Sequence, residues 1–525
     1  MTSTGAAMYG RTPSVDGKRT GKQHELSEIV IGKDVLELVS SAMYIDPMTV
    51  YREYIQNAAD AVDAARAAGL LSDSEPGKVE ISIDPATRTV RIRDNGCGLP
   101  FSDFGRKLTA LGGSAKRGMG TRGFRGVGRL AGLAYAQKLV FRSRVSGETE
   151  VSQLVWDCRE LKSSLREAPY DTNVADLVRR VTMLERVMID NVPERFFEVE
   201  LRGVIRLRND QLMSQSAIAE YLSQVAPVPF SPDFGFGAKI SLALSQHVDL
   251  GELQILVGDA LKPIYRPHRD RLSLDGKPVL KFNCLKFIEI PAVDQGVSAV
   301  AWILHHEYEG AIPRRALVKG LRLRTGNIQV GGHALLNELF PETRFNSWSV
   351  GEVHVIDRRI VPNGRRDSFE QNVHFNNLLN HLAPMARDIA RKCRTSSVRR
   401  RWERDFELHA LTVSETIDII FQDSVNGAKR EQLALAADQT LLRMSNIASK
   451  DILADSVEER EERITALQTH LSKAMNDDAV VSSPLMRLPE AQRKWYKHFF
   501  GLVYECSANR SAAKSLVDRI LLRLE

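Results

Sequence analysis

The spacing of apolar and polar positions predicts a regular chain from about residue 25 onward. Residues 35–39 and 51–68 repeat at the helical period, and the second segment is dense in Ala and stops at Gly69. Val79, Ile81 and Ile83 then alternate with polar residues, Pro85 to Arg88 make a turn, and Val90 and Ile92 alternate again, so a hairpin is expected. Eight glycines between Gly112 and Gly132 rule out a continuous helix there, since each interior Gly costs about 1 kcal/mol against Ala. That stretch reads as a loop that ends in a helix near Arg129, followed by a strand over 138–144.

Further along, Pro, Gly and Ser gather between Phe230 and Gly237, and a domain boundary is expected there. The next part mixes strands over 240–244, 253–257, 297–304 and 351–356 with helices over 334–339 and 376–391. From about residue 400 the period is helical almost throughout, with breaks at Gly427 and at Ser482, Ser483 and Pro484. The expected division is a disordered arm (1–24), a first domain (25–230), an α+β middle domain (231–395) and a helical C-terminal domain (396–525) that can dimerise.

Composition changes this picture little. A net charge of +6 and a pI near 9.0 are mildly basic, short of the footprint of a dedicated nucleic-acid binder. The basic residues do crowd one segment, 391–404, which reads either as a solvated helix face or as a contact for nucleic acid or an acidic partner. Five cysteines without CxxC spacing point to a reduced, cytoplasmic protein with no zinc site. The polar N-terminus lacks the apolar core of a signal peptide, and no apolar run is long enough to span a membrane.

Three clusters carry candidate chemistry. Glu53, Asn57 and Asp60 stand at i, i+4 and i+7, within about 60° of arc on one helix face. That face is either a solvated stripe or a carboxylate base one turn from an amide oxygen able to ligate Mg²⁺. Asp94 ends the second hairpin strand, with Gly96 and Gly98 behind it. Asp-Asn-Gly is turn chemistry in its own right. The other reading has Asp94 accepting a hydrogen bond from an adenine amine while the glycines let the base approach the backbone. A wrong base would then leave a buried carboxylate unpaired, at about 1–3 kcal/mol. Finally, Gly123, Gly126 and Gly128 lead into a helix, where free N–H groups favour phosphate oxygens. Lys116 in the same loop either adds charge or is merely solvated. No βαβ unit surrounds these glycines, so they are not a dinucleotide fingerprint.

Taken together, the clusters resemble the GHKL ATPase superfamily, which includes gyrase B, heat-shock protein 90 chaperones, histidine kinases and MutL. Its Glu-x3-Asn-x2-Asp-Ala box is matched by Glu53, Asn57, Asp60 and Ala61, its Asp-x-Gly-x-Gly box by Asp94, Gly96 and Gly98, and its glycine box by Gly123, Gly126 and Gly128. The resemblance implies an α+β protein whose N-terminal domain is a Bergerat-fold α/β sandwich with a lid. It implies Glu53 as general base, Asn57 as Mg²⁺ ligand and Asp94 as adenine reader. Asp60, Gly96, Gly98, Leu99, Lys116, Gly123, Phe124, Arg125, Gly126, Val127 and Gly128 would line the ATP site. In the middle domain, Val361-Pro362-Asn363-Gly364-Arg365-Arg366-Asp367 resembles the catalytic loop of heat-shock protein 90. That loop supplies an arginine to the γ-phosphate, which maps onto Arg366; the alternative is a basic surface turn. The resemblance therefore implies a homodimeric, ATP-driven chaperone or clamp with an unidentified client. A MutL- or MORC-like clamp on nucleic acid is the alternative.

Overall fold

A computed structural model of the chain describes residues 36, 46–111, 126, 128–167, 169, 172–258, 262–272, 280–476 and 483–524. Helix α1 (Thr49–Ala67) opens where the Asp46 carboxylate accepts the Met48 N–H at 3.0 Å. It closes at Gly69, whose φ of 68° suits the left-handed turn that ends a helix. Val50, Ile55, Ala58, Ala59, Val62 and Ala65 are buried in the core of the first domain.

The hairpin follows as β1 (Gly77–Asp84) and β2 (Thr89–Asp94), paired Ile81 to Ile92. Then come α2 (Phe101–Thr109), β3 (Lys138–Arg144), β4 (Val151–Asp157), α3 (Cys158–Glu167), α4 (Val174–Val181), β5 (Thr182–Val187) and β6 (Phe196–Arg202). After them lie α5 (Gln215–Val225), α6 (Gly237–Ser245), β7 (Leu253–Val257) and β8 (Lys262–Pro263). The sheet order is β5-β4-β3-β6-β2-β1-β7-β8, antiparallel except for β1 beside β7. Alternate residues such as Ile81, Ile92, Leu139 and Val199 share one core with α1. Charged residues occupy other register positions: Glu198 of β6 stands opposite Arg93 on one side and Arg142 on the other, and pairs with both at 2.6 and 2.8 Å.

A two-stranded piece, β9 (Arg271–Leu272) with β10 (Leu280–Lys281), precedes a second sheet. This sheet comprises β11 (Cys284–Pro291), β12 (Val297–His305), β13 (Gly320–Thr325), β14 (Ile328–Val330) and β15 (Val350–Val355), in the order β11-β12-β15-β13-β14. Helix α7 (Val373–Phe421) packs Phe375, Leu378, Leu382 and Ala386 into the same core. Its distal half joins α8 (Gly427–Ala448) and α9 (Val457–Met475) around Phe406, Val413 and Leu441. Helices α10 (Glu490–Cys506) and α11 (Arg510–Leu521) end the described chain around Phe500 and Val517. The class is α+β as expected, and among the described residues no helix is long and apolar enough to cross a membrane.

Several expectations from the sequence change. Residues 240–244 lie in α6, not a strand. The run Ile-Ser-Leu-Ala-Leu alternates, but only Ile240 and Leu244, one helical turn apart, are buried, while Leu242 is 68% exposed. Residues 334–339 form one 3₁₀ turn, Asn337–Leu339, in place of a helix. The first sheet draws strands from both sides of the boundary expected near residue 230, since β7 pairs with β1. The boundary expected at 395 falls inside α7, a single helix of 49 residues. The arm and residues 35 and 37–39 lie outside the described residues.

A buried ionic cluster joins the two sheets. Glu352 accepts from Arg266 at 2.6 Å, from Arg324 at 2.7 Å and from His354 at 3.1 Å. Both arginines continue to the end of α5 and the connection that follows it: Arg324 donates to the Gln224 carbonyl at 2.5 Å and Arg266 to that of Val228 at 3.0 Å. Burial alone would raise the Glu352 carboxyl, but Arg266 and Arg324 hold it well below its ordinary range. Removing one partner of such a cluster strands a buried charge. Glu352→Gln should therefore destabilise the chain by about 3–5 kcal/mol in denaturant unfolding. A loss under about 1 kcal/mol would show that the cluster does not hold the sheets together.

Candidate functional site

The site is assembled on α1. Glu53 and Asp60 are each 7% exposed and Asn57 is half-buried, so the polar face predicted from the sequence turns inward, away from bulk solvent. The loop after β2 packs directly on this helix. The Cys97 N–H bonds the Ala61 carbonyl at 3.1 Å, and a Cβ on Gly96 would stand 2.6 Å from the Ala61 methyl. Gly98 has a φ of 69°, and a side chain there would meet the Arg144 carbonyl at 2.6 Å. These two glycines are thus required by close backbone approach. Leu99 is fixed by its N–H to Ser143 Oγ at 2.7 Å.

Asp94 is 6% exposed and accepts the Gly96 N–H at 2.9 Å. Burial pushes its carboxyl up to about 7, opposed by that one hydrogen bond. A buried acceptor with a single backbone donor has capacity left for a ligand amine.

The glycine box meets the same helix from the other side. Gly126 has a φ of 70°, and a 3₁₀ segment runs over Gly128–Ala134. A Cβ on Gly128 would lie 2.2 Å from Glu53 Oε2, so the absence of a side chain there leaves room for the Glu53 carboxylate. Lys116, Gly123, Phe124, Arg125 and Val127, and the loop 112–125, lie outside the described residues.

Arg366 arrives from the second sheet's side of the molecule. Its Nε is 3.6 Å from Glu53 Oε1, and its Nη1 donates to Gln56 Oε1. The loop that presents it is closed by Asn363 N–H to the Ser368 carbonyl at 2.9 Å and by Asn363 Nδ2 to Asp367 at 2.6 Å. Arg366 itself sits at a φ of 55°, a left-handed conformation that costs a non-glycine residue about 1 kcal/mol or more. Its carbonyl accepts from Gly331 N–H at 2.9 Å, and Arg365 beside it is exposed.

Sequence reading passed over Arg52 and Gln56, both buried. Arg52 donates to the carbonyls of Arg365 and Arg366 at 3.0 and 3.4 Å and lies 3.6 Å from Glu53. Their adjacency to Glu53 was the available signal, but neither residue type is distinctive alone. Arg195 was also missed: it bonds the Gly96 and Asn95 carbonyls at 2.8 and 3.2 Å and so fixes the Asp94 loop from outside. The basic run 391–404 is on α7 and is largely answered within the chain. Arg391 pairs with Asp388, Arg394 with Glu342 at 2.7 Å, Arg399 with Asp455 at 2.9 Å, and Arg400 lies over the Trp348 ring.

Residues 45–182 match the family described as histidine kinase-, DNA gyrase B-, and HSP90-like ATPase. Among curated relatives, the chaperone protein HtpG of Polaromonas naphthalenivorans is 27% identical over 197 residues, covering 34% of this chain and 30% of that protein. HtpG of Coxiella burnetii is 27% identical over 203 residues, 34% and 30% of the two chains. HtpG of Streptomyces coelicolor is 29% identical over 140 residues, 23% and 22%. The aligned region thus spans under a third of the relatives' own length. Residues 45–182 are a GHKL ATPase domain, and its distant relatives are the HtpG chaperones of the heat-shock protein 90-like class.

Proposed function

We propose that this chain hydrolyses Mg-ATP to ADP and phosphate and uses the cycle as a heat-shock protein 90-like clamp. The observation that carries the reading is the approach of Arg366 to within 3.6 Å of Glu53 across the junction of the two sheets. A carboxylate and a guanidinium meeting on a GHKL helix suit the two ends of a phosphoryl transfer.

The adenine amine donates to ionised Asp94, and the N–H groups of the glycine box receive phosphate oxygens. Glu53 takes a proton from water as its oxygen attacks the γ-phosphorus. The bond from that phosphorus to the β–γ bridging oxygen breaks, and its electron pair leaves with ADP. Arg366 offsets charge on the γ-phosphoryl oxygens. The amide oxygen of Asn57, beside Glu53 on the same helix, fits a hard cation that keeps several waters and takes its other ligands from phosphates. When bound, Mg²⁺ would neutralise charge on the β- and γ-phosphates.

The C-terminal helices support dimerisation. Trp495, Phe499 and Leu502 stand at i, i+4 and i+7 on α10 and are 60, 36 and 44% exposed, a stripe suited to a second copy. On this reading the protein is a cytoplasmic homodimer whose client is a polypeptide. The internal pairing of segment 391–404 argues for a structural role of those charges over a nucleic-acid contact.

Glu53→Ala should keep ATP affinity and lower turnover by about 10²–10⁴. Steady-state hydrolysis and calorimetric binding check this; undiminished turnover removes Glu53 from the base role. The raised Asp94 carboxyl gives a second expectation. The folded protein holds that proton more tightly than the unfolded chain, so the group's contribution to stability declines as pH rises from about 4 to about 7. Because the ionised form accepts the adenine amine, ATP affinity should rise with pH up to about 7, by about tenfold per unit, with a proton released on binding below that pH. Calorimetry in buffers of different ionisation enthalpy measures the released proton. Asp94→Asn should weaken binding and abolish the pH dependence. Affinity independent of pH, without proton release, would contradict the assignment.

A further inference from the structure

A cavity of about 390 Å³ lies where the start of α1 and the end of α5 face β13, the turn after β14 and the loop carrying Arg366. It borders the face of α1 that holds Glu53, yet Asn57, Asp94 and the glycine box are not among its lining residues. Its walls carry six cations, Arg52, Arg314, Lys319, Arg322, Arg365 and Arg366. Two carboxylates, Asp46 and Asp367, also line it, and Asp367 is engaged by Asn363 at 2.6 Å.

Two of these guanidinium groups are deeply buried, Arg52 at 7% and Arg322 at 5% exposure. The Nε–H of each has no hydrogen-bond partner among the described residues. Arg322 spends its other donors on neutral oxygens, Gln224 Oε1 and Gln329 Oε1 at 3.0 Å each and the Lys319 carbonyl at 3.4 Å. Among the described residues no carboxylate pairs with Arg314, Lys319, Arg322 or Arg365. Burial lowers Arg322 to about 10, with Glu352 opposing the shift. The His333 ring on the same wall is lowered by burial and then by Lys319, Arg322 and Arg314. The six cations outnumber the acids that face them, Asp46, Asp367 and Glu53, so the space holds a positive potential that the protein's own acids only partly neutralise. Buried, unpaired guanidinium N–H groups are costly unless a ligand completes them, and their fork geometry matches a tetrahedral oxyanion.

We propose that this cavity is an anion site, distinct from Asn57, Asp94 and the glycine box although Arg366 stands on its wall, that binds a phosphate-type oxyanion between Arg52 and Arg322 with added charge from Arg314 and Lys319. The ligand is inorganic phosphate or the phosphoryl group of a small monoester. The inference stands on the cavity and does not require the ATPase reading.

The test is calorimetric titration of the full chain with inorganic phosphate and, separately, with glycerol phosphate. Each is titrated alone and in the presence of a saturating non-hydrolysable ATP analogue. Phosphate should bind in both conditions, and the Arg314→Ala/Lys319→Ala chain should bind it about tenfold more weakly or worse. Those two residues lie outside the proposed hydrolysis machinery, so analogue affinity should be unchanged. The tighter of the two ligands identifies the source of the phosphoryl group. Phosphate binding weaker than about 10 mM, binding unaffected by the double variant, or displacement by the analogue would each overturn the proposal. A wild-type chain that takes phosphate but no analogue would sink the ATPase reading and leave this one standing.

Discussion

The arrangement depends on how a buried carboxylate is accommodated. Glu53 is nearly excluded from water, and a buried charge is costly unless it is paired. Two guanidinium groups answer it at 3.6 Å each, Arg52 from the same helix and Arg366 from a loop more than 300 residues away. Arg52 also grips the backbone of that loop through the Arg365 and Arg366 carbonyls. The candidate base and the distant arginine are thus held by one network. The left-handed conformation at Arg366 is a local strain that the hairpin closed by Asn363 sustains.

That loop can only reach α1 because the two sheets are fixed to each other. The Arg266–Glu352–Arg324 cluster ties β13 and β15 to the connection after α5, and α5 in turn packs on α1. The turn after β14 completes the frame, since Gly331 donates to the Arg366 carbonyl. A buried ionic cluster is weak evidence for net stability but a good device for a unique register. Here the register it sets is the one that brings Arg366 to Glu53. The same junction leaves the cation-lined cavity beside the loop.

Much of this was legible locally. The period of α1, the β1–β2 hairpin and the Asp94 turn are written in contiguous residues, and each lies where its pattern put it. The α+β class was implied by the family resemblance together with the mixed strands and helices of the middle part. Non-local pairings were not legible. Nothing in residues 253–257 announces a partner at 77–81, which is why a boundary at 230 looked plausible. The alternating run 240–244 concealed a helix, because its middle leucine faces outward. Arg52 and Gln56 were hidden for a different reason: their importance comes from the loop that lands on them. Gly128, expected as a phosphate-loop glycine, lies against the Glu53 carboxylate, where an added Cβ would stand 2.2 Å from Oε2.

On the proposed reading Arg366 belongs to the reaction centred on Glu53. The most direct measurement is single-turnover ATP hydrolysis by the full-length Arg366→Ala chain, with ATP affinity determined in parallel. The hydrolysis rate should fall by about 10³ or more with ATP binding largely retained. A rate equal to that of the unmodified chain would contradict it.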